Sequence, residues 1–367
     1  MKLIEATDGV RLHHLVLGDN LDVLKALVEL QVKFKLILTD PPYGTGHARQ
    51  GYDDTDEGWL RMIKPRLKLL GELLDDGGII LMHIDDNYDA HLRLLLDKLL
   101  GKECRFPVMV WERTAIRINS SRTLSRAHEY IVGYGKPGCV VNPEQMVIAT
   151  QRNKFSNPDR DPRGDWRTRA MVANGQGYIY PIQGPKGQIA TPPKGRGWSM
   201  KEETFREREA AGRVWWGKSG RNKSPQLKRY AFEAETAGMV PRTWLPGRIF
   251  GYTQTGSDYV KRVLGGPQFS SAKPLPLVAW LVERFSQPGD LILDCWAGSG
   301  TVAEATALVN GNDRETPPRR TFLIQRREVS EVKHQGGSYS FAIEDLTISR
   351  LRHMKEAYGD GYEVVEI

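Results

Sequence analysis

Cysteine is scarce. Its three residues, Cys104, Cys139 and Cys295, stand far apart, with no CxxC pair and no histidine at ligand spacing. Neither a disulfide framework nor a zinc site is suggested, and buried free thiols are expected. Long apolar runs are lacking too, since none approaches the roughly 18 residues that a membrane span needs. The opening stretch MKLIEATDGVRLHHL has no signal-peptide core, so a cytoplasmic protein is expected. There is no internal repeat and no low-complexity tract long enough to matter. Also missing are the three-glycine spacing of the dinucleotide fingerprint and the GK[ST] of a phosphate loop, which argues against NAD and ATP.

What is there is ordinary in amount and uneven in placement. The 367 residues are 40% hydrophobic and 26% charged, values of a soluble globular chain with room for one large domain plus an insertion. The formal charge is +7 and the pI near 9.2, which fits a polyanionic partner without requiring one. Between Gln151 and Tyr230, 18 Lys or Arg stand against 7 Asp or Glu. The basic excess is therefore regional, and the rest of the chain is net negative.

From Gly18 to about Pro137, strand-like runs (FKLILT, GGIILMHI, FPVMVWE, EYIVGYG) alternate with helix-like stretches (NLDVLKALVEL, GWLRMIKPRLKLLGELL, NYDAHLRLLLDKLLG) whose leucines recur at three and four residues. Strands rich in Ile, Leu and Val on both faces, separated by helices, predict a mostly parallel α/β sheet covered on both sides. The rhythm stops from roughly Val140 to Gly265, a stretch rich in Gly, Pro, Arg and Trp that reads as an inserted region of turns and short pieces. It returns with PLPLVAWLVERFS, DLILDCW, TVAEATALVN and RTFLIQ. The expected division is residues 1–139, an insert at 140–265, and 266–367.

Two corners carry chemistry. In LILDCWAGSGT a buried strand ends in Asp294 and a glycine turn leads into a helix at Thr301, the way doubly wound folds bind a nucleotide-like ligand at the carboxyl end of a sheet. A tight corner uses glycine for steric reasons alone, so this turn is weak by itself. The other corner is LILTDPPYGTG. Pro42 holds Pro41 extended, so Asp40 and the Pro41 carbonyl present acceptors at fixed positions beside the Tyr43 ring. Two acceptors and a flat ring suit an exocyclic amino group on a base. Its N–H groups bond to the acceptors, its lone pair is less drawn into the ring, and it can attack an electrophilic methyl directly. The plain alternative is a Pro-Pro strand terminator with a capping Asp.

Together DPPYGTG and DCWAGSGT resemble motifs IV and I of S-adenosylmethionine-dependent DNA amino-methyltransferases, in the order of the permuted β class. LGDNLDVLKAL and FSSAKPLPLVAWLV resemble that family's third-strand segment and motif X, while HIDDN and AHEYIVGYGK resemble its following strands. DPRGDW, PPKGRGW and NGNDRETPPRRTFLIQ are similar to modification subunits of type III restriction systems and their solitary relatives. The resemblance implies a circularly permuted, Rossmann-like class I methyltransferase fold. In it Asp19, Asp40 and Asp294 lie at the carboxyl ends of neighbouring strands and line one cleft.

By the same mapping the catalytic residues are Asp40, Pro41, Pro42 and Tyr43. S-adenosyl-L-methionine is held by Asp19, Asn20, Phe269, Lys273, Pro274, Asp294, Ala297, Gly298, Ser299, Gly300 and Thr301. Lys273 also reads as a solvated lysine at a helix start. Two departures are Gln325 in place of the usual acid after the second strand, carried over as a weaker contact, and Trp296 in place of the usual phenylalanine. The implied reaction is methyl transfer to the N6 of a flipped-out adenine in double-stranded DNA. Asp40 favours adenine, since cytosine-N4 enzymes more often carry Ser there; a silent DNA-binding relative is the non-enzymatic alternative. A dimer is implied, whereas a restriction subunit is not required.

Base flipping needs a grip on DNA, and the basic insert would supply phosphate contacts. Trp166 with Arg163, Arg167 and Arg169, and Trp198 with Lys194 and Arg196, are the candidates. The alternative is that these tryptophans are the small core of an irregular domain.

Overall fold

In the strand Phe34–Thr39, Leu36 and Leu38 point into one core and Ile37 into the other. The same split separates Ile292 from Leu293, Leu323 from Ile324, and Leu81 from Ile80 and Met82. Each strand's period of two thus feeds two apolar layers at once, which is why these runs read as continuously hydrophobic. The structure is a computed structural model and describes residues 2–43, 55–117, 124–143, 155–173, 175–233, 239–264, 269, 272–312, 316–334 and 337–367.

The chain divides into two compact units, residues 1–142 with 242–367, and residues 143–241. The larger holds a ten-stranded sheet in the order Lys2–Ala6, Gly361–Glu366, Arg11–Leu17, Arg320–Gln325, Leu291–Asp294, Phe34–Thr39, Leu74–Ile84, His128–Gly135, Met109–Glu112, Trp244–Leu245. Neighbours are parallel from Gly361–Glu366 through Leu74–Ile84; Lys2–Ala6 and His128–Gly135 run antiparallel to the strands beside them. Helices Asn20–Glu29, Asp56–Leu73 and Asp89–Leu100 cover one face, and Leu275–Phe285, Thr301–Gly311 and Ile343–Tyr358 the other. This is the expected α/β architecture, with the strand that leads into Asp40 early in the chain and the glycine-turn strand late.

Several elements depart from the sequence reading. The strand expected over 106–112 begins at Met109, since Pro107 offers no N–H to a ladder. The expected insert, 140–265, is longer than the compact unit. Within 242–264, Trp244–Leu245 pairs with Val110–Trp111 and the helix Thr253–Val263 follows, with Leu245, Phe250 and Val260 buried. That helix was hidden by its Gly, Ser and Thr content, which masks an apolar face. The strands at both chain ends and the helix Ile343–Tyr358 were not anticipated either. Cys295 is buried as expected, but Cys104 and Cys139 are half-exposed.

The smaller unit contains a three-stranded sheet ordered Val214–Trp215, Gln226–Tyr230, Trp166–Ala170, a two-stranded piece and the helix Glu202–Ala210. Met171, Ile182, Trp198, Phe205 and Trp216 form its core. Beside them Asp161 accepts from Arg163, from Lys228 at 2.7 Å and from Tyr230 at 2.6 Å. Among the described residues no helix is long and apolar enough to cross a membrane.

Candidate active site

Parallel strands deliver their last residues to one edge of the sheet. Asp40 follows Phe34–Thr39, and Asp294 ends the adjacent strand, with the Thr39 hydroxyl donating to Asp294 Oδ1 at 3.0 Å. Asp19 follows Arg11–Leu17, which is separated from the Asp294 strand by Arg320–Gln325. The three acids therefore share one cleft but not three neighbouring strands; Gln325 ends the strand between. The cleft has a volume of about 550 Å³. Of the expected residues it takes in Asp19, Asn20, Asp40, Pro41, Pro42, Tyr43, Phe269, Lys273, Asp294, Ala297, Gly298, Ser299, Thr301 and Gln325, while Pro274 and Gly300 lie outside its lining. Pro274 caps the helix Leu275–Phe285, and Gly300, at φ 76°, caps Thr301–Gly311 in the left-handed region that favours glycine.

The glycine turn is gripped from two sides. Gln325 Oε1 accepts from Gly298 N at 2.8 Å, and its Nε2 donates to the Arg326 carbonyl at 2.8 Å. From the opposite side the Thr347 hydroxyl donates to the Gly298 carbonyl at 2.5 Å. Arg350, buried and paired with buried Glu304 at 3.1 Å, donates to the hydroxyls of Ser299 and Thr301. The Ser299 and Thr301 side chains are thus engaged within the protein. Asp19 accepts from Leu21 N at 2.8 Å and from Arg66 at 3.1 Å, and Asn20 Nδ2 donates to the Cys295 carbonyl at 2.8 Å. Asp294 is fully enclosed, and burial pushes its carboxyl up to about 7 despite the Thr39 and Trp296 donors.

At the other end, the Trp59 indole stacks on Tyr88 and donates to the Pro42 carbonyl at 2.9 Å, pinning the Pro-Pro corner. The Tyr43 hydroxyl donates to Asp40 Oδ1 at 2.5 Å, and Lys273 Nζ donates to Asp40 Oδ2 at 2.7 Å. Burial would raise the Asp40 carboxyl, but the Lys273 ammonium, His83 and the hydrogen bonds from Lys273 and Tyr43 together outweigh it and hold the group below the usual carboxylate range. Burial and the two nearby carboxylates push the Tyr43 phenol well up, so it stays a donor. Gly44 to Gly46 of the quoted motif lie outside the described residues.

Sequence reasoning missed Glu129, Arg113, His83 and Glu328, all of which line the cleft. Glu129 is buried, 3.2 Å from Arg113 and 3.4 Å from Lys273. It sits near the start of an antiparallel strand, so its beginning lies where the parallel strands end. A lone acid opening the apolar run EYIVGYG was the available signal. His83 is buried, with no partner for its Nδ1 among the described residues, and burial, then Lys273, brings its imidazole down to about 3, so it is neutral.

In the smaller unit three expected DNA contacts are corrected. Trp198 is wholly enclosed and Trp166 nearly so, which leaves their rings no face for a base. Arg163 is tied to Asp161 and to the carbonyls of Ala211 and Gly212. Arg169, Lys194 and Arg196 are exposed, and Arg167 lies half-buried over the Phe155 ring.

Type II methyltransferase M.KpnI of Klebsiella pneumoniae is 28% identical over 96% of this chain and 90% of its own length. The StyLTI Mod subunit, a type III restriction-modification enzyme of Salmonella typhimurium, is 28% identical over 85% of this chain. This chain spans only about half of that relative's length, 52%. Among solved structures the M1.HpyAVI–SAM complex aligns over 92% of this chain and 100% of its own, at 12% identity and a TM-score of 0.43. A family model described as DNA methylase matches residues 34–313, a span that includes both the Asp40 and the Asp294 strand ends. Well over half of the chain lies inside that match, and the chain belongs to the N6/N4 DNA methylase family.

Proposed function

We propose that this chain is a site-specific DNA methyltransferase that moves the methyl group of S-adenosyl-L-methionine to the exocyclic N6 of an adenine flipped out of duplex DNA. The observation that carries the reading is a single cleft with the Asp40 carboxylate and Tyr43 ring at one end and a backbone glycine turn at the other. A cleft of about 550 Å³ lined by the acids Asp19 and Glu328 and by that turn suits a nucleoside with a charged tail. Glu328 is the nearest carboxylate after the Arg320–Gln325 strand and takes the ribose role that Gln325, occupied by Gly298 and Arg326, leaves open.

When bound, the cofactor would supply an electrophilic methyl, its S–CH3 bond breaking to release the neutral thioether as the N–C bond forms. Asp40 and the Pro41 carbonyl accept the two N–H groups of the target amine, Tyr43 stacks on the base, and the proton displaced by N–C bond formation passes to the Asp40 carboxylate. Asp40 favours adenine over cytosine. The smaller unit contributes phosphate contacts through the sheet face that carries Arg167, Arg169 and Arg229. By analogy with M.KpnI and the StyLTI Mod subunit, we assign the chain to a restriction-modification setting.

The test is to incubate purified protein with unmethylated DNA and S-adenosylmethionine, digest to nucleosides and weigh the product. N6-methyladenine supports the assignment, N4-methylcytosine overturns the base, and no methylated nucleoside overturns the reading.

A further inference from the structure

Lys273 Nζ sits 2.7 Å from Asp40 Oδ2, 3.2 Å from the Tyr43 hydroxyl and 5.2 Å from the centroid of the Tyr43 ring. Those are the positions that the proposed reaction gives to the target, its amine on the carboxylate and its base over the ring. One side-chain ammonium therefore meets both partners that the incoming nucleobase requires. A second carboxylate waits beside it: Glu129 Oε2 is 3.4 Å from the same nitrogen, and that side chain is only 5% exposed. Among the described residues the other ion-pair partner of Glu129 is Arg113, at 3.2 Å on the opposite oxygen.

A cation this enclosed cannot simply be released, because leaving a buried charge unpaired is strongly unfavourable. A short swing from one carboxylate to another avoids that cost. We infer that Lys273 is a displaceable stand-in for the target amine, surrendering Asp40 to the flipped base by transferring its ammonium wholly to Glu129. The inference rests on the proposed function and deepens it. Lys273 is then a positioning residue: it keeps Asp40 ionised and oriented between turnovers, and it stays close enough after the swing to hold that charge while the base is bound. The segment carrying it packs closely against the helix Thr253–Val263, since a Cβ on Gly256 would lie 2.1 Å from the Ala272 carbonyl oxygen. The assignment also moves Lys273 away from the cofactor role that motif resemblance implies.

Two variants test this, each assayed with unmethylated genomic DNA, radiolabelled S-adenosylmethionine and calorimetric cofactor binding. Glu129→Gln keeps the shape of the second berth and removes its charge; KM for DNA should rise about tenfold while cofactor affinity changes less than about twofold, a loss of the size expected for one charge-assisted bond. Lys273→Met should leave cofactor affinity within about twofold and move the acid limb of the kcat/KM–pH profile, which reports the enzyme before DNA binds, up by about one unit or more, as Asp40 loses its cation. Lys273→Arg should restore that limb. A fall of about tenfold in cofactor affinity in Lys273→Met with an unmoved acid limb, on the scale of one charge-assisted hydrogen bond, would instead make the lysine a cofactor ligand and overturn the inference. A wild-type KM in Glu129→Gln overturns it as well, and independently of whether the lysine variants fold. Wild-type protein that methylates no DNA is a different result, which fails the proposed function itself.

Discussion

Gln325 Oε1 accepts from the backbone N–H of Gly298 at 2.8 Å, so a side chain at the end of one strand sets the conformation of the turn that leaves the next. Gln325→Ala leaves that N–H without its partner and lets the turn relax. S-adenosylmethionine affinity should fall about tenfold, the worth of one buried hydrogen bond, as read by titration calorimetry. An unchanged affinity would show that Thr347 and Arg350 hold the turn unaided.

Removing the acceptor itself separates binding from chemistry. Asp40→Ala should abolish methyl transfer to DNA while cofactor affinity stays within about threefold, because Asp40 serves the target amine. Calorimetry and a radiolabelled transfer assay on the same preparation check both halves, and comparable transfer by the variant would remove Asp40 from its role.

Asp294 gives the fold a pH signature. Its carboxyl is raised to about 7 by burial, so the native state binds a proton that the unfolded chain has released above about 4. The native state then holds more protons than the unfolded one, and this group's contribution to stability is lost as pH rises from about 4 to 7. Asp294→Asn keeps an oxygen for the Thr39 and Trp296 donors and removes the titration. Its melting temperature should match wild type near pH 4 and exceed it increasingly toward neutrality. A difference that is flat with pH would contradict the assignment.

Arg167 and Arg229 stand directly opposite each other on neighbouring strands of the smaller unit, with Arg169 two residues along on the same face. Like charges so paired are unfavourable without an anion between them. Replacing all three by Gln should weaken binding to duplex DNA and flatten the log–log salt dependence by about 3 in slope, near 0.9 for each phosphate no longer neutralised. Trp198→Ala should act differently, unfolding the smaller unit at a cost of about 3–5 kcal/mol because it empties the core. A Trp198→Ala protein of normal stability would reopen the ring as a DNA contact.

Much of this was legible from the chain. FKLILT and RTFLIQ became strands over the expected residues, because fully buried parallel strands announce themselves as unbroken apolar runs. DPPY and the glycine turn came together because both end parallel strands. What was not legible depends on direction or distance in the sequence. Glu129 faces the cleft only because its strand runs backwards, and Arg350 reaches Ser299 from a helix with no motif of its own. Trp166 and Trp198 misled for the converse reason: arginines around a tryptophan look the same whether the ring reads a base or fills a core.

The strand Leu291–Asp294 slots between Phe34–Thr39 and Arg320–Gln325, the first of which is made long before it and the second soon after. While the ribosome works through the intervening residues, the Phe34–Thr39 edge stays open, an unpaired row of amides flanked by Leu36, Ile37 and Leu38. Closing it demands contacts of very large sequence separation, which fold slowly. The arrangement that brings Asp40 and Asp294 side by side thus leaves the nascent protein with a sticky seam until Leu291–Asp294 emerges to close it.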